Sequence, residues 1–108
     1  MSRPSKMRKI WFRPQIQGLM PVGVAGVPRE GIIMTLDEIE ALRLADYQGK
    51  SQEDAAAEMG ISRQTFGRVV ARARRKMAGA IIHGRPVVFE GGTYEVYPKW
   101  FHCDDCAS

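Results

Sequence analysis

At 108 residues, 44% of them hydrophobic, the chain suffices for one globular domain with a modest core and is too short for two. No apolar run approaches the roughly 20 residues a bilayer crossing needs. The basic N-terminus also lacks the apolar segment of a signal peptide, so a cytoplasmic protein is expected. Its two cysteines then read as thiols or metal ligands rather than a structural disulfide. The net charge of +4 is segregated along the chain, with basic residues at the start and acids concentrated between Glu30 and Glu58. Segregation of that kind suits a surface that must face phosphates.

The first stretch, Met1 to Pro14, places Arg3, Lys6, Arg8, Lys9 and Arg13 around the apolar cluster Ile10, Trp11 and Phe12, with no acid. Two readings stand side by side. Arg3, Lys6, Arg8 and Lys9 can lie along phosphates as a basic arm, or Trp11 and Phe12 can anchor a frayed terminus on the core. Gln15 to Gly31 is rich in Gly and Pro and reads as an irregular, mostly extended connection. Its glycines match no dinucleotide or P-loop spacing. Ile32 to Met34 then forms a short strand or packs beneath the helices.

Thr35 to Gln48 is the first clear helix. Thr35 is the cap, Glu38 completes a capping box, and Gly49 ends the helix. Leu36, Ile39, Leu42 and Leu44 make the apolar band. Glu40–Arg43 and Arg43–Asp46 are i,i+3 pairs. The acids of this helix fit a face turned away from DNA, a plain solvated surface rather than a catalytic group.

Ser51 to Lys76 reads as two helices meeting at Gly60. Ser51 caps the first, which buries Ala55, Ala56 and Met59. Gly60 supplies the left-handed conformation of a sharp turn, Ile61 plugs the corner, and Ser62 caps the second helix. Phe66, Val69, Val70, Ala73 and Met77 follow the spacing of a buried stripe. Gln64, Arg68, Ala71, Arg72 and Arg75 fall on the opposite side, and Gln and Arg are the side chains that pair bidentately with adenine and guanine edges. From Arg63 to Lys76 there are six basic residues and no acid. This is a helix-turn-helix pattern, with Arg63, Gln64, Thr65, Arg68, Arg72 and Arg75 as its DNA-reading residues. Ser51, Gln52, Arg74 and Lys76 are its phosphate contacts. The helix passes Gly79, where it bends or ends early, and Gly84 and Pro86 stop it.

The spacing of Gln52, Ala56, Gly60, Ile61, Phe66 and Val69 is similar to the prokaryotic helix-turn-helix core. Extended back to Thr35, the run resembles region 4 of bacterial sigma factors. More closely, the chain resembles uncharacterised protein family 0251, small prokaryotic predicted DNA-binding proteins. The carrying residues are Arg3-Pro4, Gly26-Val27-Pro28, the run from Leu36 to Asp46, and the run from Ser62 to Arg68. The resemblance reaches to about Gly92. It implies a DNA-binding fold and no established biological role.

Val87 to Tyr97 carries a β-hairpin signal around Gly91-Gly92, with Val87 opposite Val96 and Phe89 opposite Tyr94. Glu90 and Glu95 flank its tip, which favours a core lid or dimer surface over a wing in DNA. His102, Cys103 and Cys106 make half a metal site, and a zinc-class ion there would need His83, a carboxylate or a second subunit to complete four ligands. The other reading is an exposed tail with two reduced thiols.

The expectation is therefore a mainly α fold: a helix-turn-helix bundle of three to four helices, an irregular basic N-terminal arm and a small C-terminal β-hairpin. The parts are residues 1–34, 35–84 and 85–108. The expected function is sequence-specific duplex DNA binding by a homodimeric transcriptional regulator, with no enzymatic activity and no membrane partner. Alternatives are RNA binding, a sigma-like protein-interaction module, or metal or redox sensing through Cys103 and Cys106.

Overall fold

The computed structural model describes residues 7–23, 30–92 and 94–96. Arg3 and Lys6 of the arm, and His102, Cys103 and Cys106 of the tail, lie outside the described residues. Three α-helices form the centre: α1 (Leu36–Leu42), α2 (Gln52–Met59) and α3 (Arg63–His83). Short strands surround them: β1 (Arg8–Ile10), β2 (Gly18–Leu19), β3 (Ile32–Met34), β4 (Val87–Phe89) and β5 (Tyr94–Val96). Among the described residues no helix is long and apolar enough to cross a membrane.

The helix boundaries follow the local chemistry. Ser51 Oγ accepts from Asp54 N at 3.1 Å, and Ser62 Oγ accepts from Thr65 N at 3.1 Å, so both caps satisfy an otherwise orphaned donor. Gly60 turns the chain at φ 69°, in the left-handed region. Ala41, Leu44, Ala55, Ala56, Met59, Phe66, Val69 and Val70 then close into one buried cluster, with Ile61 packed against it. α3 continues through Gly79 without a break and ends only at Gly84.

The first helical run has the extent its pattern suggests but changes pitch partway. α1 ends at Leu42, and Arg43–Tyr47 forms a π-helical turn in which Gln48 N donates to Arg43 O at 2.8 Å. A wider turn removes the stacking of positions three apart, so the expected Arg43–Asp46 pair does not form. Arg43 grips Glu40 with two bonds of 2.9 and 2.8 Å, and Asp46 turns to Arg74 on α3. The capping box is led by Glu38, whose Oε1 accepts from Thr35 N at 2.9 Å. The Thr35 hydroxyl faces the other half of the box but falls short of good hydrogen-bond geometry.

The strands β4 and β5 exist where a hairpin was expected, but they do not pair with each other. β4 lies between β2 (antiparallel) and β3 (parallel), so both its edges are occupied. β5 pairs in parallel with β1, setting Tyr94 opposite Arg8 and Val96 opposite Ile10. Gly91 and Gly92 are a corner on the start of α1 rather than a hairpin tip. Gly91 O accepts from Leu36 N at 3.1 Å, and a Cβ on Gly92 would come within 2.5 Å of Asp37 Oδ1. The core-lid part of the expectation does hold for β4. Val87 joins Met34 and Ala80 in a second buried cluster, with Phe89, Ile32 and Met77 against it.

The arm is likewise more ordered than expected over its described part. Ile10 is completely buried in β1. Beyond it, Trp11 N donates to Glu40 Oε2 at 2.8 Å and the indole donates to Glu58 O at 2.9 Å. The segment is therefore a strap holding the end of α2 to α1.

Candidate nucleic-acid interface

The geometry of the candidate site begins with how closely α2 approaches α3. Gly67 faces Gln52, and a Cβ there would sit 3.5 Å from Gln52 Oε1. This brings the N-terminus of α2 beside the first turn of α3. Ser51, Gln52, Glu53 and Arg63 line an open hollow of about 330 Å³ between them. The positive end of a helix, a hydroxyl, an amide and a guanidinium are groups that can hold a phosphate oxygen. Glu53 opposes that charge from one side.

Along α3, Gln64, Arg68, Ala71 and Arg75 are all exposed and share one stripe at i, i+4, i+7, i+11 spacing. Arg63, Arg68 and Arg75 make no ion pair among the described residues. Thr65 is only half exposed, and Ser62 Oγ donates to its hydroxyl at 2.9 Å, so its first task is at the cap.

The other described cations assigned to nucleic acid make contacts within the chain. Arg72 Nε donates to Glu38 Oε2 at 2.6 Å, which sets Arg72 at the edge of the stripe, facing α1. Lys76 Nζ donates to Glu38 Oε1 at 2.8 Å and to Ile33 O at 2.8 Å. Arg74 holds Asp46 through two bonds, 3.0 and 2.7 Å. Arg8 Nη1 lies 3.3 Å from Asp37 Oδ2. The aliphatic stem of Lys9 covers Gly60.

The residues that sequence reasoning missed are the acids of α1. They were expected on a solvated face, yet Asp37, Glu38 and Glu40 are 2%, 0% and 1% exposed. Each is matched by a cation: Asp37 by Arg8, Glu38 by Arg72 and Lys76, Glu40 by Arg43. Only Glu40–Arg43 had a local signal, because the other partners come from distant segments. Burial pushes the Glu38 carboxyl up, but hydrogen bonds from Lys76, Arg72 and the Thr35 N–H more than reverse this and hold it below the usual range. The Arg74 guanidinium lowers Asp46, and Glu40 raises Arg43. Among the described residues no group of three or more His, Cys, Asp or Glu side chains is arranged to hold a metal ion.

A family profile described as a protein of unknown function, DUF134, matches residues 1–97. The chain is 46% identical over 90 residues to a UPF0251 protein of Prosthecochloris aestuarii, covering 83% of this chain and 58% of that relative. It is 44% identical over 106 residues to a UPF0251 protein of Chloroherpeton thalassium, covering 98% and 70%. Against a UPF0251 protein of Halothermothrix orenii it is 37% identical over 108 residues, covering 100% and 80%. The chain thus spans less than two thirds of the first of these relatives. No solved structure matches it. Matched by the profile over nearly its whole length, and by relatives that it largely covers, the chain belongs to the DUF134 (UPF0251) family of proteins of unknown function.

Proposed function

We propose that this protein is a sequence-specific duplex DNA-binding regulator, acting in the cytoplasm as a homodimer and by binding rather than catalysis. The observation that carries the reading is the division of cations on α3. Arg72, Arg74 and Lys76 are each neutralised by a carboxylate of the same chain. Arg63, Arg68 and Arg75 are not, and with Gln64 they stand exposed along the first turns of a capped helix behind a left-handed glycine turn. In this reading Gln64 and Arg68 reach base edges in the major groove, and Arg75 reaches the backbone farther along. The hollow of Ser51, Gln52 and Arg63 takes a phosphate. The same unpaired stripe could serve RNA, but a continuous helix with bidentate side chains one turn apart fits a duplex major groove better than unstacked bases.

The test is selection of bound genomic duplexes, then affinity of Arg68→Ala and Arg75→Ala for cognate, single-mismatch and random DNA at fixed salt. Arg68→Ala should cost about 1–3 kcal/mol on the cognate site and relax preference at one base position. Arg75→Ala should weaken all duplexes alike. An unchanged specificity ratio for Arg68→Ala would place the reading face elsewhere.

A further inference from the structure

On the flank away from that stripe, α1, the π-helical turn and α3 enclose an open groove of about 840 Å³. Its apolar lining is Phe12, Ile39, Leu42, Tyr47 and Met77, with Arg43, Asp46 and Arg74 supplying charge. Tyr47 is 86% exposed and Ile81 76%. Ile81 follows Met77 by four residues and Arg74 by seven, so it extends the apolar strip along the same side of α3. An exposed aromatic and an exposed isoleucine beside an apolar groove mark an interaction surface rather than scattered surface residues.

We propose that this groove is the contact between two copies of this chain across a two-fold axis, Tyr47 and Ile81 of each copy seating in the groove of the other. A two-fold contact uses one patch twice, so that patch must hold both projection and hollow, and both signs of charge. This one does. Tyr47 and Ile81 project beside the hollow. At its edge Arg74 pairs with Asp46 at 2.7 Å and Arg43 with Glu40 at 2.8 Å, leaving no excess charge for an acidic or basic partner to read. Arg74 and Asp46, each about half exposed, can meet their opposites in the other copy, whereas Glu40 is buried and serves only to neutralise Arg43. The position also leaves the exposed cations free: Met77 and Ile81 lie roughly 130° around α3 from the line of Gln64, Arg68 and Arg75. The inference deepens the homodimer proposed above, and within that reading it rests on this groove and not on the DNA contacts.

Sedimentation of the whole chain over a wide concentration range tests it, with no DNA present. The wild-type chain should sediment as two copies. Ile81→Asp should sediment as one, its dissociation constant raised about tenfold or more, as for the loss of an apolar anchor. Ile82→Asp should stay dimeric, because Ile82 is equally exposed at 75% but turned one residue round the helix towards Gln64. Both positions are on water, and circular dichroism checks that both variants keep their helices. A wild-type monomer at every concentration overturns the proposal and leaves the groove to a different protein. A dimer that survives both Ile81→Asp and Tyr47→Asp, or that Ile82→Asp alone destroys, moves the interface elsewhere. Failure of DNA binding with the dimer intact would count against the function proposed above and not against this contact.

Discussion

Glu38→Gln removes the carboxylate on which α1 and α3 meet. Glu38 is fully buried and accepts from Arg72 Nε at 2.6 Å, Lys76 Nζ at 2.8 Å and Thr35 N at 2.9 Å. Deleting one partner of a buried ion pair costs about 3–5 kcal/mol, because the orphaned charge stays buried. Here the orphans can escape in part: the Arg72 side chain is 50% exposed and that of Lys76 27%. Glutamine also keeps an acceptor for the Thr35 N–H, though its amide then faces a cation. The balance is a loss of about 2–3 kcal/mol, a large share of the roughly 5–15 kcal/mol that holds a domain folded. Urea unfolding followed by circular dichroism should show a lower midpoint at unchanged slope. Asp46→Asn is the internal control. Its pair with Arg74 is about half exposed on both sides, so its loss should cost no more than about 1 kcal/mol. If Glu38→Gln costs no more than Asp46→Asn, or shows no coupling with Lys76→Met in a double-mutant cycle, the buried carboxylate does not stabilise the fold as argued.

Three further outcomes follow from the same geometry. Glu38 and Asp46 both have folded pKa values below their unfolded ones, so their stabilisation is complete above the ordinary carboxylate range and is lost as pH falls through the folded values. Urea midpoints should be level near neutrality and fall below a pH of about 4.3, with a smaller fall in Glu38→Gln; an equal fall in both proteins would mean that other carboxylates carry the acid transition. Gly92→Ala should cost about 2–3 kcal/mol, since φ is 104° and the new Cβ would meet Asp37 and Thr35, while Gly49→Ala, at φ 71° with open space around it, should cost only about 1 kcal/mol. Ile10→Ala should cost about 2–4 kcal/mol in the same unfolding assay, and a negligible loss would show that β1 is not part of the core.

The sequence made the α2–α3 unit legible because everything that defines it is local. Ser51, Gly60 and Ser62 act within a turn of their own positions, and the buried stripe from Phe66 to Ala73 repeats along one helix, with Met77 only half-buried beyond it. The features that were not legible all depend on partners distant in sequence. β1 and β5 are three residues each, pair in parallel, and come from opposite ends of the chain, so neither carries an alternation long enough to read. Gly91-Gly92 gives the same signal for a hairpin tip as for a close approach to another element, and only the occupied edges of β4 separate the two. The acids of α1 looked solvated for the same reason: Arg8, Arg72 and Lys76 are 29, 34 and 38 residues from the carboxylates they meet.

Those ion pairs bear on the proposed site through geometry more than through charge. Arg72 and Lys76 stand one turn apart on α3 and grip a single carboxylate of α1. Arg74, on the opposite flank, grips Asp46 in the π-helical turn. Two anchors on opposite flanks resist rotation of α3 about its own axis, which apolar packing at Phe66, Val69 and Ala73 alone would resist less sharply, since such contacts have no direction. Rotation by one residue's share of a turn would carry Gln64 and Arg68 off a groove floor. A cation held in this way is also poorly placed to bind phosphate, because it must first abandon a carboxylate 2.6 to 2.8 Å away. The paired arginines and lysine therefore orient the helix. In the proposed DNA binding, contact would fall to the cations of α3 that make no ion pair among the described residues: Arg63, Arg68 and Arg75.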